Sequence, residues 1–312
     1  NLLYSNFRSL NKKISKVGLG CVTFGREITE DESIKLLDIA VEKGINLFNT
    51  SYYYSDGISE KIIGKFFKIK KNRKDITIVS KIHGDLSKKT IEKCIHESLI
   101  RMNTDHIDYY GVTHDPKTNL DEILEVMDRF QKEGKILRVA CNNYDISMLK
   151  SSNQIQEINN FSKFGLLETV YNVLYRGVEK ELINYCDLEN IDIISYSPLG
   201  AGFITGKYRN GRVSPKKTRF DIKPSHKDIY FKGVFFETMN KLEKLSNETN
   251  LSLIDLALSW VLSRDFLSSI LIGVRDISHI KKPINILENP INRTILNEIN
   301  EITKNNSDLI DP

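Results

Sequence analysis

The sequence predicts an α/β fold, a (β/α)8 or TIM barrel, from two observations. Short apolar runs of the strand type alternate with helical segments eight times along the chain, which is typical of a parallel sheet with crossover helices. Most predicted strands end in polar or reactive residues, and barrel enzymes carry their active sites at the carboxyl ends of the strands. A doubly wound sheet is the alternative, but the turn GLGCVTFG lacks the third glycine of a GxGxxG turn.

The individual elements follow from residue periodicity. In the segment DEILEVMDRFQKEGK, Ile123, Leu124, Met127 and Phe130 repeat at helical spacing, and Gly134 lies where a helix C-cap is expected. The predicted strands cover 15–20, 44–50, 75–81, 107–114, 135–141, 165–171, 191–197 and 268–274, and the predicted helices cover 30–43, 58–67, 87–102, 119–133, 145–151, 179–189, 250–263 and 276–286.

The chain shows no internal repeat and no linker, so we expect a single barrel domain over 1–312. A long irregular stretch at about 198–230 is rich in Gly, Lys and Arg, and loops of that length are usually functional or mobile. A last helix is predicted at about 291–303, after the eighth strand–helix unit.

Composition narrows the class of protein. The formal net charge is +4, from 45 basic and 41 acidic residues, which does not favour a nucleic-acid partner. The sequence has no signal-peptide pattern and no apolar run of the roughly 18 residues that a membrane span needs, so we expect a cytoplasmic protein. Four widely spaced cysteines form no CxxC pair or metal-ligand cluster, so we expect reduced thiols and no metal site.

One segment carries the strongest chemical signal. The apolar run GINLF leads into Asn49 and then a loop with three consecutive tyrosines, Tyr52, Tyr53 and Tyr54, while the next predicted strand delivers Lys81. A lysine ammonium beside a phenol stabilises the phenolate, and so makes a group with a pKa of roughly 10 a usable acid at neutral pH. Such an acid can protonate a carbonyl oxygen while hydride arrives at the carbon.

Five fragments, in the same order along the chain, resemble the aldo-keto reductase superfamily. They are KVGLGCVTFG, FNTSYYYSDGISEKIIGK, GKILRVACNNY, YNVLYRGVEKELINYC and YSPLGAGFITGKY. The second is similar to the family signature FDTAxxYGxGxSExxLGK, and the last is nearly identical to YSPLAGGLLTGKY. The resemblance covers nearly the whole chain and implies a barrel oxidoreductase that uses a nicotinamide cofactor.

The resemblance also implies a catalytic tetrad of Asp, Tyr, Lys and His. The tyrosine position is Tyr54 and the lysine position is Lys81, whereas the aspartate position holds Asn49. The histidine position holds Thr113 in strand register, and His114 follows it. Because Asn49 brings no negative charge, we expect a buried Lys81 to be easier to deprotonate, and the chemistry to be altered or slower.

The implied cofactor is NADP(H), with NAD(H) left open. Glu168 stands at a family glutamine position and Asn142 at a serine position, while Asn143 is retained; all three would bind the nicotinamide amide, and Tyr196 would stack on the ring. The other expected contacts line the pocket or reach the pyrophosphate, the 2′-phosphate and the adenine: Cys21, Ser197, Leu199, Gly202, Lys207, Arg219, Gly273, Arg275 and His279.

The first function hypothesis is NADP(H)-dependent reduction of a carbonyl. The hydroxyl and amide groups of Ser51, Tyr52, Ser55, Thr113 and Asn142 favour a small polar, sugar-like substrate. A second hypothesis is another nicotinamide-dependent step on a sugar derivative, such as alcohol oxidation or enone reduction. A third is a catalytically weak NADP(H)-binding protein that senses redox state. The substrate, the direction of reaction and the oligomeric state are left open.

Overall fold

A closed barrel of eight parallel strands forms the centre of the molecule. The computed structural model describes residues 3–113, 119–208, 216, 219–222 and 224–308. Helices follow the strands along the chain, so the predicted (β/α)8 barrel is confirmed.

The strands pair in chain order around the barrel, and the last closes onto the first. An antiparallel hairpin, β1 (Tyr4–Phe7) and β2 (Lys12–Ser15), precedes them and was not predicted. The barrel strands are β3 (Val17–Gly20), β4 (Leu47–Asn49), β5 (Thr77–Ile82), β6 (Ile107–Thr113), β7 (Ile136–Asn142), β8 (Leu166–Val170), β9 (Asp192–Tyr196) and β10 (Ser269–Gly273).

Most of the helices agree in place with the predicted segments. They are α1 (Glu30–Glu42), α2 (Ile58–Lys70), α3 (Lys88–Arg101), α4 (Leu120–Lys132), α5 (Ile146–Ile158), α6 (Leu182–Leu188), α7 (Arg219–Ile222), α8 (Lys227–Tyr230), α9 (Gly233–Thr249), α10 (Leu253–Leu262), α11 (Ser278–Glu288) and α12 (Arg293–Thr303). Helices α7, α8 and α9 were not predicted, and α5 extends beyond the end of the helix predicted at 145–151.

The stretch at 198–230 is less irregular than expected in its described part. It contains a 3-10 turn over Gly200–Thr205 and the short helices α7 and α8. The missed helix α9 did carry a signal, since Phe235, Met239, Leu242 and Leu245 are buried at helical spacing.

The barrel interior is packed with side chains. The hairpin closes its amino-terminal end, because Phe7 and Ile14 join the inward-facing residues in one buried cluster. The barrel strands contribute one inward residue each to this cluster, except β3: Leu47, Val79, Tyr109, Ala140, Leu166, Ile194 and Leu271. On β3, Gly18 fills the corresponding place, since a Cβ there would lie 2.8 Å from Leu47 and 2.9 Å from Leu271.

A second, larger core lies between the sheet and the helices. Trp260 is fully buried there and stacks on Tyr171 with ring centroids 5.3 Å apart. All four cysteines are buried, and none of them is bonded to another. Burial raises the pKa of each thiol, so none is suited to act as a nucleophile.

Candidate active site

A ring of inward-facing positions lies above the interior cluster, towards the carboxyl ends of the strands. Because side chains alternate along a strand, the residue two positions after each interior residue faces the barrel axis again. These positions are polar, or glycine, on every strand: Gly20, Asn49, Lys81, Gly111, Asn142, Glu168, Tyr196 and Gly273. Barrel closure therefore gathers six of the predicted site residues in one layer, at the end of the barrel where the fold class places an active site.

Lys81 is held by two neighbours in this ring. Its Nζ donates to Asn49 Oδ1 at 2.7 Å and to the Glu168 carboxylate at 2.9 and 3.2 Å. Asn49 Nδ2 donates to Glu168 Oε2 at 2.8 Å, so the three side chains form a closed triangle. The Lys81 side chain is 12% exposed and that of Glu168 is 5% exposed, which makes this a buried ion pair.

The ion pair keeps Lys81 charged. Burial acts to lower the pKa of Lys81, but the carboxylate of Glu168 and the neighbouring Tyr54 together raise it above its usual value. The expectation that Lys81 would be easier to deprotonate without an aspartate at position 49 is therefore wrong. The missing negative charge is supplied from the other side of the ring by Glu168.

Tyr54 lies on the loop that follows β4. Lys81 Nζ is 5.4 Å from the centre of the Tyr54 ring. Two hydrogen bonds hold the loop to the backbone of Lys81. The carbonyl oxygen of Lys81 accepts from Tyr52 N and from Ser51 Oγ, both at 3.0 Å. After Tyr54 the chain runs through Ser55, Asp56 and Gly57 with positive φ, which turns it sharply into α2.

The other two tyrosines of the loop have different surroundings. Tyr52 donates its hydroxyl to Glu97 at 2.6 Å, and the guanidinium of Arg101 lies 4.2 Å from its ring centre. Tyr53 is 38% exposed, and its ring packs 4.7 Å from that of His83. Among the three, Tyr54 has the ring that the structure brings next to Lys81.

Sequence reasoning missed two residues that support this loop. Arg101 donates to the Tyr52 carbonyl oxygen at 3.0 Å and to the fully buried Glu60 at 3.2 Å. A Cβ on Gly57 would lie 2.5 Å from the Arg101 guanidinium. A signal was present in ISEKII, where Glu60 falls among apolar residues on the buried face of α2.

Thr113 and His114 are the two candidates for the histidine position. Thr113 ends β6, is half-buried, and shares the inward parity of Tyr109 and Gly111. His114 lies outside the described residues. Thr113 pairs with Asn142 in the sheet register, which puts its hydroxyl at the rim of the ring.

The ring has an open side, where the two neighbouring strands β3 and β10 carry no side chain. Gly20 and Gly273 hold the inward positions on β3 and β10, and a Cβ on Gly273 would meet nothing within 4 Å. Half-buried Tyr196 occupies the neighbouring position on β9, and its hydroxyl donates to Asn143 Oδ1 at 3.0 Å. Among the described residues, buried Asn142 Oδ1 has no hydrogen-bond partner, so it has the capacity to accept from a ligand donor.

Gly111 makes room for the amide of Asn142. A Cβ at this glycine would lie 2.1 Å from Asn142 Oδ1 and 3.4 Å from Lys81 Cβ. A side chain at this position would therefore displace the Asn142 amide, whereas its contact with Lys81 would be an ordinary van der Waals contact.

A second group of predicted cofactor residues lies outside the ring. Gly202 has a φ of 92°, and Lys207 folds over it, since a Cβ there would be 3.2 Å from Lys207 Nζ. Burial and the positive charge of Arg275 lower the pKa of Lys207. The two cations are thus close enough to repel each other, which suits binding of an anionic group.

The remaining residues predicted to contact the cofactor lie outside the ring. Ser197, with a φ of 55°, and half-buried Leu199 begin the turn that leads to Gly202. His279 Nδ1 accepts from the backbone N–H of exposed Arg275 at 3.2 Å. Cys21 lies in the core between sheet and helices, fully buried, and not in the ring. Arg219 begins α7, and its side chain lies outside the described part.

No other described feature competes with this ring as the site. A cavity of about 470 Å³ lies at the opposite, amino-terminal end of the barrel, between β1 and the chain around Asp192 and Asp265; it contains none of the predicted site residues. In the described ranges, no group of three or more His, Cys, Asp or Glu could hold a metal ion. No helix in those ranges is long and apolar enough to cross a membrane.

Comparison with known proteins finds one family and several relatives that match nearly the whole chain. The model of the aldo/keto reductase family matches residues 16–304. Aldo-keto reductase YhdN of Bacillus subtilis is 26% identical, over 99% of this chain and 96% of its own length. The oxidoreductase YrpG of the same organism is 25% identical, over 93% and 92%. Protein tas of Escherichia coli is 24% identical, over 93% and 94%.

Proposed function

The chain belongs to the aldo/keto reductase family, and we propose that it reduces a carbonyl group of a small polar substrate with NADP(H) as cofactor. At the coarser level it is an oxidoreductase of the aldo-keto reductase type, acting on carbonyl or alcohol groups with a nicotinamide cofactor. The proposal adds the cofactor, the direction and the residues that act.

The proximity of Lys81 to Tyr54 carries the proposal. Tyr54 donates its phenolic proton to the oxygen of the substrate carbonyl, and the charged Lys81 stabilises the phenolate that remains. The 5.4 Å between Lys81 Nζ and the Tyr54 ring supports this role, as does the buried ion pair that keeps Lys81 protonated.

The residues of the open side fit the implied cofactor. The unpartnered Oδ1 of Asn142 would accept from the nicotinamide amide, and Tyr196 would pack against its ring. Lys207 would bind the pyrophosphate and Arg275 the 2′-phosphate, and the second contact favours NADP(H) over NAD(H). When bound, the nicotinamide supplies the hydride that reaches the carbonyl carbon. The proposed amide contact of Glu168 is weakened, because its carboxylate is already engaged by Lys81 and Asn49.

The substrate class rests on fewer groups than the sequence analysis expected. Ser51 donates to the Lys81 carbonyl oxygen, Tyr52 to Glu97, and Ser55 to a backbone oxygen. Those three hydroxyls hold the loop together and have less capacity left for a substrate. Support for a polar substrate comes from Thr113 and Asn142, so the proposal keeps a small polar substrate and leaves a sugar-like one less supported.

The test removes the phenol hydroxyl while the cofactor still binds. For Tyr54→Phe we expect turnover of a carbonyl panel to fall at least ~100-fold, the usual size of general acid catalysis, with unchanged NADPH affinity by fluorescence titration. Tyr53→Phe, on a more exposed ring of the same loop, is the matched control and should keep its activity.

The result of that assay also separates the alternatives. Unchanged turnover in Tyr54→Phe would rule out the proposed role of the tyrosine. A wild-type protein that binds NADPH tightly and turns over no carbonyl or alcohol would instead favour the redox-sensing alternative.

A further inference from the structure

We infer that Glu168 is a positioning residue for proton transfer, which supplies the counter-charge that keeps Lys81 protonated and directed at Tyr54. The inference rests on the proposed function, in which Lys81 assists Tyr54. It assigns to Glu168 a task in the proton-donor half of the site, in place of the cofactor contact expected from the sequence.

The contacts of Glu168 support this task. Both carboxylate oxygens accept from Lys81 Nζ, at 2.9 and 3.2 Å, and Oε2 also accepts from Asn49 Nδ2. The Glu168 side chain is only 5% exposed, so its effect on the neighbouring ammonium is stronger than it would be at the surface.

Asn49 has a defined part in the same arrangement. Its Oδ1 accepts from Lys81 at 2.7 Å while its Nδ2 donates to Glu168 at 2.8 Å, so one amide orients both members of the ion pair. Relative to the family pattern, positions 49 and 168 have exchanged acid and amide. The total charge of the triangle is the same in either arrangement.

The hydrogen bonds of the triangle can be reversed with one loss, the 3.2 Å bond from Lys81 Nζ to Oε2, where a glutamine would place its N–H donor. With aspartate at 49 and glutamine at 168, Nε2 of the glutamine would donate to the aspartate, and both side chains would still offer an oxygen to Lys81. The double variant Asn49→Asp/Glu168→Gln should therefore preserve the geometry, whereas each single change should disturb it.

The two single variants fail for different physical reasons. Glu168→Gln leaves Lys81 buried without a counter-charge, which favours its neutral form. Asn49→Asp places two carboxylates where one hydrogen bond now joins residues 49 and 168, so one of them must take up a proton.

The experiment compares the wild-type protein with both single variants and the double variant. The readouts are kcat/KM against pH with NADPH and a carbonyl substrate, and the protonation of Lys81 Nζ by NMR, assigned from the signal that Lys81→Met loses. For Glu168→Gln we expect at least ~10-fold lower kcat/KM and a Lys81 titration moved down by about one pH unit or more. For the double variant we expect kcat/KM within about threefold of the wild-type value, and a Lys81 titration within about half a pH unit of the wild-type one.

The controls separate this role from a merely structural one. Glu157→Gln makes the same change in an exposed ion pair with Lys163 and should alter neither readout. Circular dichroism of each variant shows whether it folds, and a Glu168→Gln variant that fails to fold leaves the double variant to decide.

Two outcomes would overturn the inference. One is a Glu168→Gln variant with wild-type turnover and an unshifted Lys81 titration. The other is a double variant no more active than the impaired single variants. If the wild-type protein turns over no carbonyl compound, the proposed function fails, but the NMR titration still tests whether Glu168 holds the charge on Lys81.

Discussion

Lys81 and Glu168 form an ion pair across the barrel, with Nζ and Oε1 2.9 Å apart. They lie on β5 and β8, strands that do not pair with each other in the sheet. Their contact therefore depends on closure of the barrel and on both side chains facing its axis. The pair joins the loop that bears Tyr54 to the strand next to Asn142, and so links the two halves of the candidate site.

Removing only the lysine should destabilise the protein. Lys81→Met leaves the Glu168 carboxylate buried and unpaired, which costs about 3–5 kcal/mol in the free energy of unfolding. The double variant Lys81→Met/Glu168→Gln should recover most of that loss and remain inactive. Urea unfolding and steady-state assays would check this, and recovery of activity in the double variant would contradict the role of the lysine.

Gly111→Ala should weaken cofactor binding. The added Cβ would lie 2.1 Å from Asn142 Oδ1, so the amide must move, at a cost of about 1–3 kcal/mol in stability. We expect at least ~10-fold weaker NADPH binding, since a hydrogen bond lost from a buried group costs about 1–3 kcal/mol. Gly233→Ala is the matched control, because a Cβ there meets nothing within 4 Å. Equal NADPH affinity in both variants would contradict the proposed contact between Asn142 and the cofactor.

Arg275→Ala should change the choice between cofactors. If its guanidinium binds the 2′-phosphate, its loss removes a charge-assisted hydrogen bond of about 1.5–3 kcal/mol. NADPH affinity should then fall roughly 10- to 100-fold, with little change for NADH. Fluorescence titration with both cofactors checks this, with the exposed Arg293→Ala as control. An equal loss for NADPH and NADH would place Arg275 elsewhere on the cofactor.

The protein should lose stability in alkaline solution. Burial is the largest cause of the raised pKa of Tyr109, Tyr110, Tyr144 and Tyr171. Each phenol ionises near pH ~10 in the unfolded chain and only at higher pH in the folded one. Above about pH 10 the unfolded state therefore binds fewer protons, and the free energy of unfolding falls as pH rises.

Thermal melting at a series of pH values would measure this loss. Tyr110→Phe removes one of the four ionisations, so its melting temperature should fall less steeply with pH than that of the wild type. A wild-type melting temperature that stays constant from about pH 9 to pH 11 would contradict the raised pKa of the buried tyrosines.

Much of the fold could be predicted because local patterns repeat along the chain. The eight strand runs were all found within a few residues of their observed bounds, since each is a short apolar stretch between helices. The β1–β2 hairpin was missed because its strands of four residues carry little apolar signal of their own. Its place depends on Phe7 and Ile14 filling the end of a barrel made by distant segments.

The sequence by itself determined the barrel, the tyrosine loop after β4 and the lysine at the end of β5, because these follow from periodicity and from short contiguous motifs. It could not assign the partner of Lys81. Glu168 is 87 residues away along the chain, and nothing local distinguishes a carboxylate that faces a cofactor from one that faces an ammonium. Only the closed tertiary structure decided this, because the tilt and stagger of the strands in a closed barrel set which inward side chains meet.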